Sequence, residues 1–376
     1  MLIPFQFSQP MKLIYLFVLT LLIPIMGQGQ QLSLLTGLDT TIKETSGLIY
    51  TNQRLITHND SGGEAALYEI DINTGNTSRK VTISNATNVD WEDICFDSNY
   101  IYIGDIGNNS GTRTDLKVYK VSLSDYLTTT SNTVTAEVIN YNYADQTSFT
   151  SSTIFTNFDA ETLISFGDKL YIFTKNWGDS KTKIYSLSKI PGTYQISKID
   201  SFDSQGLVTG GDYNSASNAI LLTGYTFASP FIIEIKDFSA TNFSGGTITR
   251  DVLQIPSGKS FQIESVAALN INQYYLSAEE STTGSSGLYQ LETSNPLEID
   301  EFENGNTFMY PNPASNSISI ETNYLSKTEI YDMRGVLRKS SSKKQINISD
   351  LSKGLYILKI KNTENNRVFI KKLIVN

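Results

Sequence analysis

Asp90-Trp91-Glu92-Asp93-Ile94, Tyr100-Ile101-Tyr102-Ile103-Gly104-Asp105-Ile106-Gly107-Asn108-Asn109 and Leu116-Lys117-Val118-Tyr119-Lys120-Val121 decide the fold. Each run is short and rich in β-branched and aromatic residues, and Gly, Asn and Asp bound it, so each reads as a strand. The unit has a fixed order. An acidic or Gly-rich anchor opens it, two strands joined by a short turn follow, then a polar loop, then a strand ending near a Tyr.

The same order occurs on both sides of this stretch. Upstream it runs Glu44-Thr45-Ser46-Gly47-Leu48-Ile49, Arg54 to Gly63 and Ala66-Leu67-Tyr68-Glu69-Ile70. Downstream it runs Asp159-Ala160-Glu161-Thr162-Leu163, Leu170 to Asn176 and Thr182 to Leu187. A fourth copy has Leu207 to Tyr213, Ala219 to Tyr225 and Phe231 to Ile235, and a fifth has Gln262 to Ala267, Tyr274 to Glu280 and Gly287 to Leu291. A period of about 50 residues with four short strands predicts a β-propeller. Five copies are legible. A sixth blade lies within Ser122 to Phe158 or is shared between the two ends, so the expectation is an all-β propeller of five or six blades. An irregular β-sandwich is the structural alternative.

In a propeller the first strand of each blade lines the central channel. Equivalent anchors then converge, bringing Glu44, Glu92, Glu161 and Glu264 together as candidate metal ligands, with Asp212 the fourth-copy counterpart. Clustered carboxylates repel, and a hard cation such as Ca²⁺ relieves the repulsion through oxygen ligands. Ca²⁺ is the one cofactor this pattern suggests. The channel mouth is expected to carry His58, Asn59, Asp60, Asp105, Asn108, Asn109, Lys175, Asn176, Glu279 and Glu280. The structural alternative is that the acids bond neighbouring backbone N–H groups and only close the ring.

The chain has 376 residues, 39% of them hydrophobic, enough for a large core and a second small one. Its net charge of -9 is unevenly placed. From Phe308 onward twelve Lys/Arg face five Asp/Glu, a net of +7, which leaves -16 on the rest. Such an acidic body repels nucleic acid. Cys95 is the sole cysteine, so no intrachain disulfide forms, and its apolar setting predicts a buried, inert thiol. His58 is the sole histidine, which removes multi-histidine zinc sites, and no Gly-x-Ser-x-Gly elbow, P-loop or dinucleotide fingerprint is present.

Lys12, the apolar run Leu13 to Met26 and the small residues Gly27 and Gly29 predict a secretory signal peptide over 1–29. No other segment has transmembrane length, so no transmembrane helix is expected in the mature chain. The propeller is assigned to 30–300, a linker to 301–307 and a small immunoglobulin-like β-sandwich to 308–376. In that last segment Ser317-Ile318-Ser319-Ile320-Glu321 alternates as a half-buried strand, and Met333-Arg334-Gly335 reads as a turn needing positive φ at Gly335.

The order of motifs in 308–376 closely resembles the type A sorting domain of the type IX secretion system. The resemblance rests on Tyr310-Pro311-Asn312-Pro313, Ile330-Tyr331-Asp332 with Gly335, the run Leu351 to Tyr356 that includes Gly354, and Lys371-Lys372-Leu373-Ile374-Val375. It implies export by signal peptide, then passage across the outer membrane by the type IX machinery, giving a secreted or cell-surface protein. The central domain loosely resembles gluconolactonase-like and esterase-like phytase propellers in Asp90 to Ile94, Gly104 to Asn109, Asp159 to Thr162 and Gln262 to Glu264. Those families imply a channel metal and hydrolysis of lactones or phosphate esters. Two functions stay open: a binding or scaffold module for an extracellular glycan, peptide or small molecule, and a Ca²⁺-dependent hydrolase. For the first, Trp177, Tyr213, Tyr225 and Phe227 are candidates for stacking on sugars.

Overall fold

The computed structural model describes residues 30–152, 155–260, 262–282, 284–293, 307–322, 324–363 and 368–376. The expected signal peptide (1–29) and nearly all of the expected linker (301–306) lie outside the described residues. The chain divides into two compact units, Met1–Thr293 and Ser294–Asn376.

Among the described residues the first unit holds five sheets. Their innermost strands are Thr45–Thr51, Trp91–Phe96, Ala160–Phe166, Leu207–Asn214 and Ile263–Ala268. Each packs beside the next, and the last packs back on the first, so the ring closes with five blades. Among the described residues of Ser122 to Phe158 there is no sixth blade. That segment carries the short helix Leu123–Thr128, an edge strand Thr133–Val134 on blade 1 and the outer strand Ala136–Tyr143 of blade 2. The two ends do share a blade, the fifth: Ser33–Thr36 pairs antiparallel with Gly287–Glu292 as its outermost strand.

Alternation along the strands explains the core. Side chains at odd and even positions leave a strand on opposite faces, and each blade is sandwiched between two others. In Tyr100–Asp105, Ile101 and Ile103 enter the core shared with blade 1, whereas Tyr102 enters the core shared with blade 3. Trp91, fully buried, fills the interface of blades 1 and 2 and donates Nε1–H to the Thr87 carbonyl at 3.1 Å. Cys95 lies in the core between blades 2 and 3, and burial pushes its thiol well above the ordinary range. Five such inter-blade cores make up the ring.

The second unit places seven strands in two sheets over one core that includes Ile318, Ile330, Ile348, Leu358 and Leu373. Gly335 adopts φ 78° in the turn after Asp332, as its position in the sequence requires.

Candidate functional site

Each innermost strand carries a β-bulge near its start, between Thr45 and Leu48, Trp91 and Asp93, Ala160 and Thr162, Val208 and Gly210, and Ile263 and Ser265. A bulge adds an unpaired residue and re-aims its side chain. The bulged residues are Ser46, Glu92, Glu161, Thr209 and Glu264. The first-blade counterpart of Glu92 is therefore Ser46, not Glu44. Glu44 belongs to the row two residues upstream, with Asp90, Asp159, Leu207 and Gln262. Backbone bonds agree: the carbonyls of Glu44, Asp159 and Gln262 accept from the N–H groups of Asp60, Lys175 and Glu279 at 2.9, 2.9 and 3.2 Å.

Two overlapping carboxylate trios result. Asp60, Asp90 and Glu92 each offer an oxygen within 4.8 Å of the others, and so do Glu92, Asp159 and Glu161. Glu92 is common to both. It is 4% exposed, and among the described residues its carboxylate receives no hydrogen bond and no ion pair. Burial pushes it well above the usual carboxylate range, and Glu161 pushes it further. The Asp90 carboxyl is raised to about 7 by burial, then by Asp60 and Asp159. Burial also raises Asp60, Asp159, Glu161 and Glu264.

The surroundings fix some of these groups and leave others bare. Asp159 accepts from Asn108 N–H at 2.7 Å and from Trp177 Nε1–H at 3.0 Å. Lys175, also buried, places Nζ 2.5 Å from Glu161 Oε1, and the rings of Trp177 and Tyr225 lie 5.1 and 5.3 Å from that nitrogen. Glu264 shares the field of Glu161 and Lys175 but belongs to neither trio. Gly107 backs the first trio closely: a Cβ there would overlap Glu92 Oε1 and Asp90 Oδ2.

The remaining expected residues have these places. Glu44 is exposed and lies outside both trios. Asp212 points to the next blade, accepting from Ala268 N–H at 2.8 Å, and burial raises it to about 7. Asp93 does the same toward Leu163 N–H at 2.8 Å. These two acids tie blade 2 to blade 3 and blade 4 to blade 5. Asp105 is fully buried and pairs with Arg113 at 2.8 Å. His58 is buried edge-on to Trp91, with Nδ1 3.0 Å from the Asn59 carbonyl, and burial lowers it to about 4. Asn59 reaches the Thr41 carbonyl at 2.7 Å, and Asn176 reaches Asp179 at 3.0 Å. Asn109 is exposed. Glu279 accepts from Gln262 at 2.6 Å and is raised to about 8 by burial and Glu264, whereas Glu280 pairs with Lys43 in an exposed position. Tyr213 packs on Phe166 and Phe238, away from the acids, while Phe227 is fully exposed two residues beyond Tyr225.

Asp90 and Asp159 escaped the sequence reading of the site. The signal was present as an acid two residues before each Glu of the second and third anchors.

In the second unit Asn312 clamps the final strand. Its Nδ2 donates to the Lys372 carbonyl and its Oδ1 accepts from Ile374 N–H, both at 2.9 Å. Tyr310–Pro311 and Asn312–Pro313 are cis. Tyr356 is buried and donates its hydroxyl to the Ser352 carbonyl at 2.9 Å, Gly354 opens the strand Gly354–Asn362, and Lys371 and Lys372 lie on Val368–Val375.

A search of curated proteins found no match. Among solved structures, an exo-β-1,3-galactanase from Phanerochaete chrysosporium is 10% identical with a TM-score of 0.43, covering 93% of this chain and 100% of that one. An α-L-arabinofuranosidase from Podospora anserina is 8% identical with a TM-score of 0.38, covering 71% and 97%. PorZ, a bacterial surface component of the type IX secretion system of Porphyromonas gingivalis, is 12% identical with a TM-score of 0.34 over 88% of this chain. This chain spans 45% of the PorZ chain. Residues 308–376 match the family described as secretion system C-terminal sorting domain. The protein is thus an exported type IX secretion cargo whose residues 308–376 are its C-terminal sorting domain.

Proposed function

We propose that the propeller is a binding module that holds one Ca²⁺ between Asp60, Asp90 and Glu92 and presents it to an extracellular ligand. The observation that carries this reading is Glu92, a buried carboxylate without a donor or cation at the point where both trios meet. An unpaired buried charge is costly, and a cation removes the cost. The donor set is all oxygen, and the spacing fits: two oxygens on one Ca²⁺ at about 2.4 Å are at most about 4.8 Å apart. Trp177 and Tyr225 supply aromatic rings beside Asp159 and Lys175, which favours a glycan over a peptide or other small molecule. Glycan-array binding by the full chain, strong with Ca²⁺ and absent with EDTA, is the expected result. No signal in either condition contradicts the reading.

A second reading, a Ca²⁺-dependent hydrolase of lactones or phosphate esters, draws on Glu279. A carboxyl raised to about 8 beside the channel acids is suited to donate a proton near neutral pH. Turnover on a lactone and phosphate-ester panel, lost in Glu279→Gln, would favour it over binding alone.

A further inference from the structure

We propose that Lys175 is the resident cation of the Glu92–Asp159–Glu161 trio, so that Asp60–Asp90–Glu92 is the single position open to an exchangeable ion. This rests on the cation reading of the pocket given above and adds its stoichiometry and the residue that sets it.

Five carboxylates form two trios, and among the described residues the one ion pair they make is Lys175 to Glu161. Lys175 is 5% exposed and its Nζ lies 2.5 Å from Glu161 Oε1. The rings of Trp177 and Tyr225 flank that nitrogen, completing a cage of carboxylate and π-faces that suits an ammonium. Burial alone would lower this amine, yet Glu161 and Glu264 hold it well above its ordinary value. The register makes the placement specific. Lys175 occupies the second-strand position equivalent to Asp60, Tyr225 and Glu279, whose carbonyl-paired N–H groups repeat around the ring. It is the one cation in that row. Blade 1 has Asp60 there instead, so across the pocket the first trio gains a ligand where the second gains a charge. Glu92, without a donor of its own, is the carboxylate that the two trios share.

The test is isothermal titration of the full chain with CaCl₂, for wild type, Lys175→Met and Lys175→Arg. Wild type and Lys175→Arg should each bind one ion. Lys175→Met should bind two, because removing the ammonium frees Asp159 and Glu161 as ligands and Glu92, common to both trios, bridges the two ions. One ion in wild type and one in a folded Lys175→Met overturns this inference while leaving the first site standing. No ion in wild type but one in Lys175→Met supports the role of Lys175 and contradicts the first site. No ion in any of the three overturns both. Should Lys175→Met melt below the titration temperature, Lys175→Gln replaces the ammonium with a neutral polar group and carries the same expectation of two ions.

Discussion

Glu92→Gln should make the metal-free protein more stable, and this is the reverse of what a structural carboxylate would do. The carboxylate oxygens of Asp60, Asp90, Asp159 and Glu161 approach those of Glu92 within 4.8 Å. Two unit charges at that separation repel by about 3.5 kcal/mol at an effective dielectric near 20. Burial already favours protonation of these acids, which relieves part of the repulsion. The remaining gain from a neutral isostere at pH 8 is about 1–3 kcal/mol. The assay is urea unfolding of the full chain in EDTA, followed for the propeller transition at pH 8 and pH 5. The variant should unfold at higher urea at pH 8, and the difference should shrink at pH 5, below the value of about 7 to which Asp90 is raised, because protonation of Asp90 removes one of the charges facing Glu92. Addition of Ca²⁺ should cancel or reverse that advantage. At 100 times Kd wild type gains about 2.7 kcal/mol, on the order of 5–10 °C in Tm, and the variant gains none. A variant less stable than wild type by 1 kcal/mol or more in EDTA at pH 8 would refute the reasoning, because Glu92 would then have a partner that the charge argument denies it.

Gly107→Ala should push the Glu92 and Asp90 carboxylates out of place and reduce the Ca²⁺-induced Tm shift to less than half, at a stability cost of about 1 kcal/mol in EDTA; an unchanged shift would separate Gly107 from the site. Asp212 titrates outside the trios, and its sign is definite. Its folded value of about 7 exceeds 3.8, so its contribution to stability is complete below pH 3.8 and is lost as pH rises through 7. Asp212→Asn should therefore gain on wild type between pH 5 and pH 8, by up to about 3 kcal/mol in urea unfolding, and a difference independent of pH would contradict the shift. Asn312→Ala removes both bonds to the final strand, so amide exchange at Ile374 should quicken at least tenfold, and the sorting domain should lose about 1–2 kcal/mol; unchanged exchange would leave the clamp without effect.

The ring was legible because every blade is covered on both faces, so its strands read as short runs of Ile, Leu, Tyr and Val separated by polar turns. Five copies in sequence became five blades. The sharing of a blade between the two ends was among the expectations, but that it is the fifth was not legible: Ser33–Thr36 is four residues long and pairs with Gly287–Glu292 at the far end of the domain, and no local pattern announces a pairing of that span. Within the site, Glu92, Glu161 and Glu264 stood out because each follows the same anchor. Glu44 looked equivalent but is not, since the bulge counts from the pairing of Thr45 with Asn59, and only register reveals which residue is the extra one. Lys175 was legible as a mouth residue, but its turn inward onto Glu161 depends on the burial of the pocket and on the rings of Trp177 and Tyr225, which come from separate blades. The sorting domain was the most legible part, because its turn chemistry at Pro311, Pro313 and Gly335 is local.

Crystals of the full chain grown with CaCl₂ test the central claim most directly. The account predicts one ion with oxygen ligands from Asp60, Asp90 and Glu92 at about 2.3–2.6 Å, with Lys175 still on Glu161. No ion at that position in a well-ordered propeller, or an ion held by residues outside the two trios, would contradict it.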